Sequence, residues 1–506
     1  MNAPPSSESP PGLNGSVPSL RIRAVNDAPV HPDRAHVIYW MIAARRLEWN
    51  YGLERAVAWA RELDRPLLVF EPLRSGYRWA SHRLHRFCIE GMAEHARRLE
   101  RSRNGYFPYV EPEEGAGSGL LAALAEQAAV VVTDEFPSFF LPRMVAAAGR
   151  SLPVRLEAVD SNGILPLRQP DREFKTAYSF RRHLHKSLPG WLEEGPSSYP
   201  LQGDPLPPFP GLSSEITDRW PPASRSLLEG DSAALAALPI DAAVPPVPFA
   251  GGREPARARL DRFLADGLPD YIDGRNHPDR EVSSGLSPYL HWGHISAHET
   301  LNALFDREDW NPGRLSDRAD GRRKGWWGMS PEAEAFVDQL VTWRELGYAT
   351  SFRLDDPEAY ETLPEWARQT LAEHAGDPRP HLYDRTQFET AATHDALWNA
   401  AQRQLLTDGT IHNYLRMLWG KKILEWSASP REALDLMLEL NNRWAIDGRN
   451  PNSTSGILWI LGRYDRGWPE RSVFGTVRSM TSKSTRRKVD VDRYLERFGP
   501  QTALSL

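Results

Sequence analysis

Cysteine is nearly absent from this chain: Cys88 is the single one among 506 residues. One thiol cannot build a disulfide framework and makes a cysteine-based metal site a poor expectation. That usage suits a reducing compartment, and a cytoplasmic location is expected. Long apolar runs are missing too. None approaches the roughly 18 residues that a membrane helix needs. The opening MNAPPSSESPPGLNGS has neither a basic n-region nor an apolar h-region, so a signal peptide is not expected. A strong charge imbalance is absent. A net charge of −6 exerts no global pull on nucleic acid, so any such binding must use a local basic patch. The fingerprints GxGxxG, P-loop and HExxH do not occur; the glycine-rich GYATS and RRKGWWGMS match none of them. The histidines, His291, His294, His394 and His412 among them, lack metal-ligand spacing.

Tryptophan is abundant. The chain has 18, where roughly five or six would be expected at about 1% usage. Residues 1–30 are rich in Pro, Ser and Gly and read as a disordered leader. HVIYWM, PLLVFEPL and AAVVVTDEF are short apolar runs suited to buried strands. Helical periodicity in RRLEWNYGLERAVAWARELDR and ASHRLHRFCIEGMAEHARRLE separates them. This alternation predicts an α/β domain over 31–165, Rossmann-like, with a parallel sheet covered on both faces. Prolines crowd the stretch to about 250, so 166–250 is expected to be a connector crossing the surface of the second domain. From 251 to 500 the 3.6-residue period dominates and no strand is evident, which predicts an all-α domain.

Several stretches carry chemistry. In SSGLSPYLHWGHIS, residues 283–296, small hydroxyl residues with Gly and Pro precede a helix. Ser284, Ser287 and nearby backbone N–H groups there suit a pyrophosphate; the ordinary alternative is a plain N-cap with proline in the first turn. Arg416 and Asp447 suit a buried ion pair or an ordinary surface bridge. Asn441 can hydrogen-bond a ring nitrogen or serve as a turn residue. Trp419 and Trp426 lie seven apart on one helical face, with Trp398 21 residues before Trp419. Such indoles pack a core or carry electrons. Trp343 and Trp459 suit the walls of a pocket for a flat substrate, or again a core. SKSTRRK, residues 482–488, is a basic run that can grip phosphates or simply face water.

The joint order of SGLSPYLHWGHIS, THDALWNAAQ, LRMLWGKKILEW, LNNRWAIDGRNPN and FGTVRSMTSKSTRRKVDVD resembles the photolyase/cryptochrome flavoproteins over more than 200 residues. Among these it is most similar to class II cyclobutane-pyrimidine-dimer photolyases. The resemblance implies FAD in the helical domain, and it leaves room in the α/β domain for an antenna pigment of unassigned identity. It places Ser284, Leu286 and Ser287 on the FAD phosphates and Asn399 near the flavin. Arg416 and Asp447 would pair against the ring, with Asn441 at its N5. Trp419, Trp398 and Trp426 become the proximal, medial and distal members of a photoreduction chain. Gln339, Met417, Trp343 and Trp459 fall in the lesion pocket, and Arg486, Arg487 and Lys488 on DNA. The implied activity is light-driven splitting of pyrimidine dimers in damaged DNA by a monomeric deoxyribodipyrimidine photo-lyase.

Two pocket positions depart from the class II pattern. Gln339 stands where that class has a glutamate, with Leu340 beside it, and Asn413 replaces a glycine. A glutamine donates a hydrogen bond but passes no proton. Asp338, next in sequence, points about 100° away on a helix. These departures favour a second reading, a cryptochrome-type light sensor without repair. A third, a DNA-binding helical protein without a pigment, predicts a colourless product.

Overall fold

The computed structural model describes residues 17–500. Six strands form one sheet: β1 (Ile22–Ala24), β2 (His36–Trp40), β3 (Leu67–Leu73), β4 (Gly105–Val110), β5 (Ala128–Asp134) and β6 (Leu156–Val159). Their order is β1-β6-β5-β2-β3-β4. Five run parallel, and β1 closes one edge antiparallel to β6. The strands alternate between two buried layers. Val37, Tyr39, Val69 and Val132 face one core cluster with the helix Tyr51–Glu62. Ile38, Trp40, Phe70 and Val131 face the other, with Leu120, Leu124 and Val145. Burial on both faces is why the strands read as continuous apolar runs.

The carboxyl ends of β2 and β5, where the strand order reverses, are closed internally. Asp134 accepts the N–H groups of Ile42, Ala43 and Ala44 at 2.8, 2.8 and 3.0 Å, and the Tyr39 hydroxyl at 2.6 Å. The turn that cradles a pyrophosphate in dinucleotide folds here binds a carboxylate of the chain itself.

Two expectations about boundaries need correction. Residues 1–16 of the expected leader lie outside the described residues, but 17–30 are built into the fold. A 3-10 turn at Ser19–Arg21 leads into β1, and Arg21 is fully buried with its guanidinium donating to Ile164 O at 2.6 Å. An anchored arginine and an edge strand outweigh the polar composition around them. Within the expected connector, Arg172–Lys186 belongs to the helical unit, and from Ser187 the proline-rich stretch belongs to the α/β unit. Leu206 and Trp220 bury in the two cores of the sheet, and Leu227 and Leu235 pack with Cys88, Ile89 and Met92 of the helix His82–Leu99. The chain divides into one compact unit of Met1–Asp171, Ser187–Ala258 and Leu286–Pro312, and another of Arg172–Lys186, Arg259–Gly285 and Gly313–Leu506. No named strand follows β6 among the described residues, and no helix there is long and apolar enough to cross a membrane.

Within the second unit, regular helices flank two π-helical segments, Phe263–Gly267 and Asp338–Trp343. The latter joins the helices Pro331–Val337 and Arg344–Arg353. Its five-residue hydrogen-bond step shifts the side-chain register of Gln339 and Trp343 relative to a straight α-helix.

Candidate functional site

The apolar stretch from 396 to 426 breaks at Gly409, whose φ of 65° ends the helix Ala396–Asp408. The Asp395 carboxylate starts that helix by accepting the N–H groups of Leu397 and Trp398. The helix Asn413–Trp426 then packs against it. Trp398 Nε1 donates to Trp419 O at 2.9 Å, and Trp419 Nε1 donates to Gln402 Oε1 at 2.8 Å. A buried indole N–H needs such an acceptor, so the two helices lock in one register. The Trp398 and Trp426 rings lie 6.0 Å apart at 67°. All three indoles are at most 1% exposed; the Trp398 indole meets the Trp419 backbone and the Trp426 ring. Beyond Trp426 stand Tyr383, His394 and the Lys422 ammonium, 5.5, 5.0 and 5.1 Å from its ring.

Arg416 lies one turn before Trp419 on the same helix. Its Nη2 lies 3.1 Å from Asp447 Oδ1, and its Nη1 donates to Asn441 Oδ1 at 3.4 Å. Asn441 donates to Ser453 Oγ at 2.9 Å and to Asn442 Oδ1 at 3.1 Å. Asp447 is held by the loop that ends the helix Pro430–Trp444. There the Arg449 guanidinium donates to the carbonyls of Asn442, Ala445 and Ile446. Asn442 Nδ2 is buried with no hydrogen-bond partner among the described residues. A guanidinium, two amides and one unanswered donor suit the polar edge of a flat nitrogen heterocycle, so the residues fit a flavin ring.

Other expected contacts are placed differently. The amide of Asn399 is occupied by Thr393, whose N–H and hydroxyl it accepts at 3.1 and 2.7 Å and whose carbonyl it bonds at 2.8 Å. Ser284 belongs to the helical unit, and its carbonyl accepts from Arg259 Nε at 2.9 Å. Leu286 and Ser287 belong to the α/β unit, at the start of the six-residue helix Ser287–Trp292.

A cavity of about 460 Å³ brings Met417 and Trp459 together with Tyr414, Trp468, Arg478 and Lys488. Asp465 organises one wall. It accepts Arg478 Nε and Nη2 at 2.9 and 3.2 Å and Trp468 Nε1 at 3.3 Å. The Arg478 guanidinium lies 4.1 Å above the Trp468 ring. Gln339 and Trp343 are not in this lining; neighbouring Asp338 is paired with Arg181 at 2.8 Å. Arg486 and Arg487 are exposed, at and just after the helix Ser482–Arg486. Sequence reasoning missed Tyr414, Trp468 and Arg478. Tyr414 precedes Met417 by three residues, a helical spacing that could have found it. Trp468 sits in an irregular segment with no period to reveal its face.

In the α/β unit a second aromatic group lies beyond the carboxyl ends of β3 and β5. Phe139 is 5.8 Å from Tyr77, 5.9 Å from Trp79 and 4.7 Å from Phe140. Trp79 and Phe139 have φ of 72° and 61°, conformations that cost a bulky residue roughly 1–3 kcal/mol and cluster at functional sites.

No family model matches the chain. Curated relatives do. It is 33% identical over 488 residues to a deoxyribodipyrimidine photo-lyase of Methanothermobacter thermautotrophicus, covering 96% of this chain and 97% of that protein. It is 33% identical to the enzyme of that name from Oryza sativa subsp. japonica, covering 97% and 94%, and 30% identical to that from Potorous tridactylus, covering 95% and 84%. The chain belongs to the photolyase/cryptochrome family. Its fold is also that of a bacterial class III photolyase from Agrobacterium tumefaciens, with a TM-score of 0.66 at 18% identity, covering 92% of this chain and 86% of that one. A cryptochrome of Synechocystis sp. PCC6803 gives 0.63 at 15%, covering 92% and 88%.

Proposed function

We propose that this chain is a DNA photolyase of class II type that splits cyclobutane pyrimidine dimers in light. The supporting observation is that one helix, Asn413–Trp426, carries Arg416, two of three tryptophans linked through Trp398, and a wall of the cavity. Arg416, Asp447 and Asn441 would hold the ring of FAD. Ser284, Leu286 and Ser287 would meet its phosphates and Asn399 would lie nearby, roles that rest on the resemblance. Bound and reduced, FAD supplies the photoexcited electron for dimer cleavage. The chain's own work is to bind, orient and exclude water. Trp419, Trp398 and Trp426 relay charge from the exterior side. Met417, Trp459 and Trp468 offer apolar surface to a dimer taken out of the stack, a step that costs a few kcal/mol and least for a damaged base. Gln339 and Trp343 are the remaining pocket residues by resemblance. Arg486, Arg487 and Lys488 bind phosphates without reading sequence. The aromatic group of Tyr77, Trp79, Phe139 and Phe140 is the proposed platform for an antenna pigment.

Gln339 favours a second reading, light sensing without repair. A thymine-dimer oligonucleotide separates the two. Reduced protein should restore the intact thymines in light and not in the dark. A flavin-loaded protein that leaves the dimer untouched in light supports the sensor; a protein that binds no flavin ends both readings.

A further inference from the structure

Lys421 is an ammonium in a place built for an apolar side chain. On the helix Asn413–Trp426 it follows Tyr414 and Met417 at seven and four residues, on the face that those two present to the cavity. It is fully buried. Its Nζ donates to Ile460 O at the end of the helix Pro451–Ile460 and lies 5.5 Å from the centre of the Trp459 ring. Trp459 lines the cavity, and the Arg478 guanidinium approaches the same ring at 5.2 Å. The charged groups that bear on Lys421 are Asp465 and Arg478. Asp465 is already engaged by Arg478 through two hydrogen bonds. Lys421 itself has no carboxylate ion-pair partner among the described residues.

Capping the carbonyl of Ile460 does not explain a lysine. A buried ammonium is costly, and an apolar side chain of the same length would fill the space without that penalty. What a cation adds is a field that water does not screen.

We propose that Lys421 is the buried cation of the lesion pocket: its ammonium, set behind the indole of Trp459, stabilises the negative charge on a pyrimidine dimer while the dimer holds the extra electron. This deepens the photolyase reading and rests on it. By the resemblance, Gln339 stands where class II enzymes have a glutamate. A glutamine at that position cannot donate a proton to the reduced dimer, whereas a fixed positive charge stabilises the anion without proton transfer. Burial lowers the Lys421 pKa to about 7, so the charge is present below that pH and disappears as pH rises through it.

The test compares wild type, Lys421→Met and Lys421→Arg. Repair per absorbed photon should fall in wild type as pH rises from 6 to 8. In Lys421→Met it should be about threefold to tenfold lower at pH 6 and flat with pH. Lys421→Arg, if folded, should keep the yield at pH 8. Dark affinity for a dimer-containing duplex, which has no extra charge to stabilise, should be the same in wild type and Lys421→Met. Independently of activity, NMR of ε-13C-lysine should show one resonance, absent from Lys421→Met, that titrates near pH 7. A resonance titrating near 10, or a Lys421→Met yield and pH profile matching wild type, overturns the proposal. Wild type that repairs nothing at any pH overturns the photolyase reading, while the NMR titration still reports whether the pocket lysine is poised.

Discussion

Trp398 shows how one residue joins two others. Its indole N–H is bound to the backbone of Trp419, and its ring meets that of Trp426. Replacing it with phenylalanine keeps a ring in the core and removes both the donor and the easily oxidised indole. Trp398→Phe should therefore lose most blue-light reduction of bound oxidised flavin while its flavin content stays at the wild-type level. An unchanged photoreduction rate would show that charge does not pass through this residue. Arg416 is a contrasting case. The residue types pointed to an ion pair with Asp447, but only the loop held by Arg449 carries that aspartate to 3.1 Å.

At the scale of elements, the helix Asn413–Trp426 divides labour between its faces. Trp419 and Trp426 point to the indole chain; Tyr414, Met417 and Lys421 point to the cavity. Gly420 lets the helix sit close to its neighbours. A Cβ there would lie 2.1 Å from Ile460 Cδ1 and 3.0 Å from Met437 Sδ. Both are side-chain ends that can shift, yet a branched residue asks both to move. Gly420→Val should cost about 1–3 kcal/mol through overpacking, read as a lower denaturant midpoint with an unchanged slope. A stability equal to wild type would mean that the helix crossing is looser than it looks. The π segment Asp338–Trp343 belongs to this scale too. Its extra residue per turn is invisible to a 3.6-residue period, so the faces of Gln339 and Trp343 could not be read in advance.

For the whole molecule, a net charge of −6 leaves DNA binding to local basic groups. Lys488 lines the cavity and Arg486 and Arg487 are exposed beside it in sequence. Charge reversal at Arg486 or Lys488 should weaken binding to damaged and undamaged duplex alike. It should also lower the slope of log affinity against log salt by about 0.9 for each phosphate that is no longer neutralised. A variant with the wild-type salt slope would remove that residue from the interface.

The sequence by itself determined the fold class, because strands buried on both faces and helices with one apolar face leave different periods. β2, β3 and β5 were legible for that reason. β1 and β6 were not, being three and four residues long, and β4 opens on Gly105 with Pro108 at its centre. The family was legible in the order of motifs along the helices. Which residues share the cavity, how Asn399 spends its amide, and where the proline-rich stretch packs were decided only in three dimensions. These depend on contacts between segments far apart in the chain, and local periodicity carries no record of them.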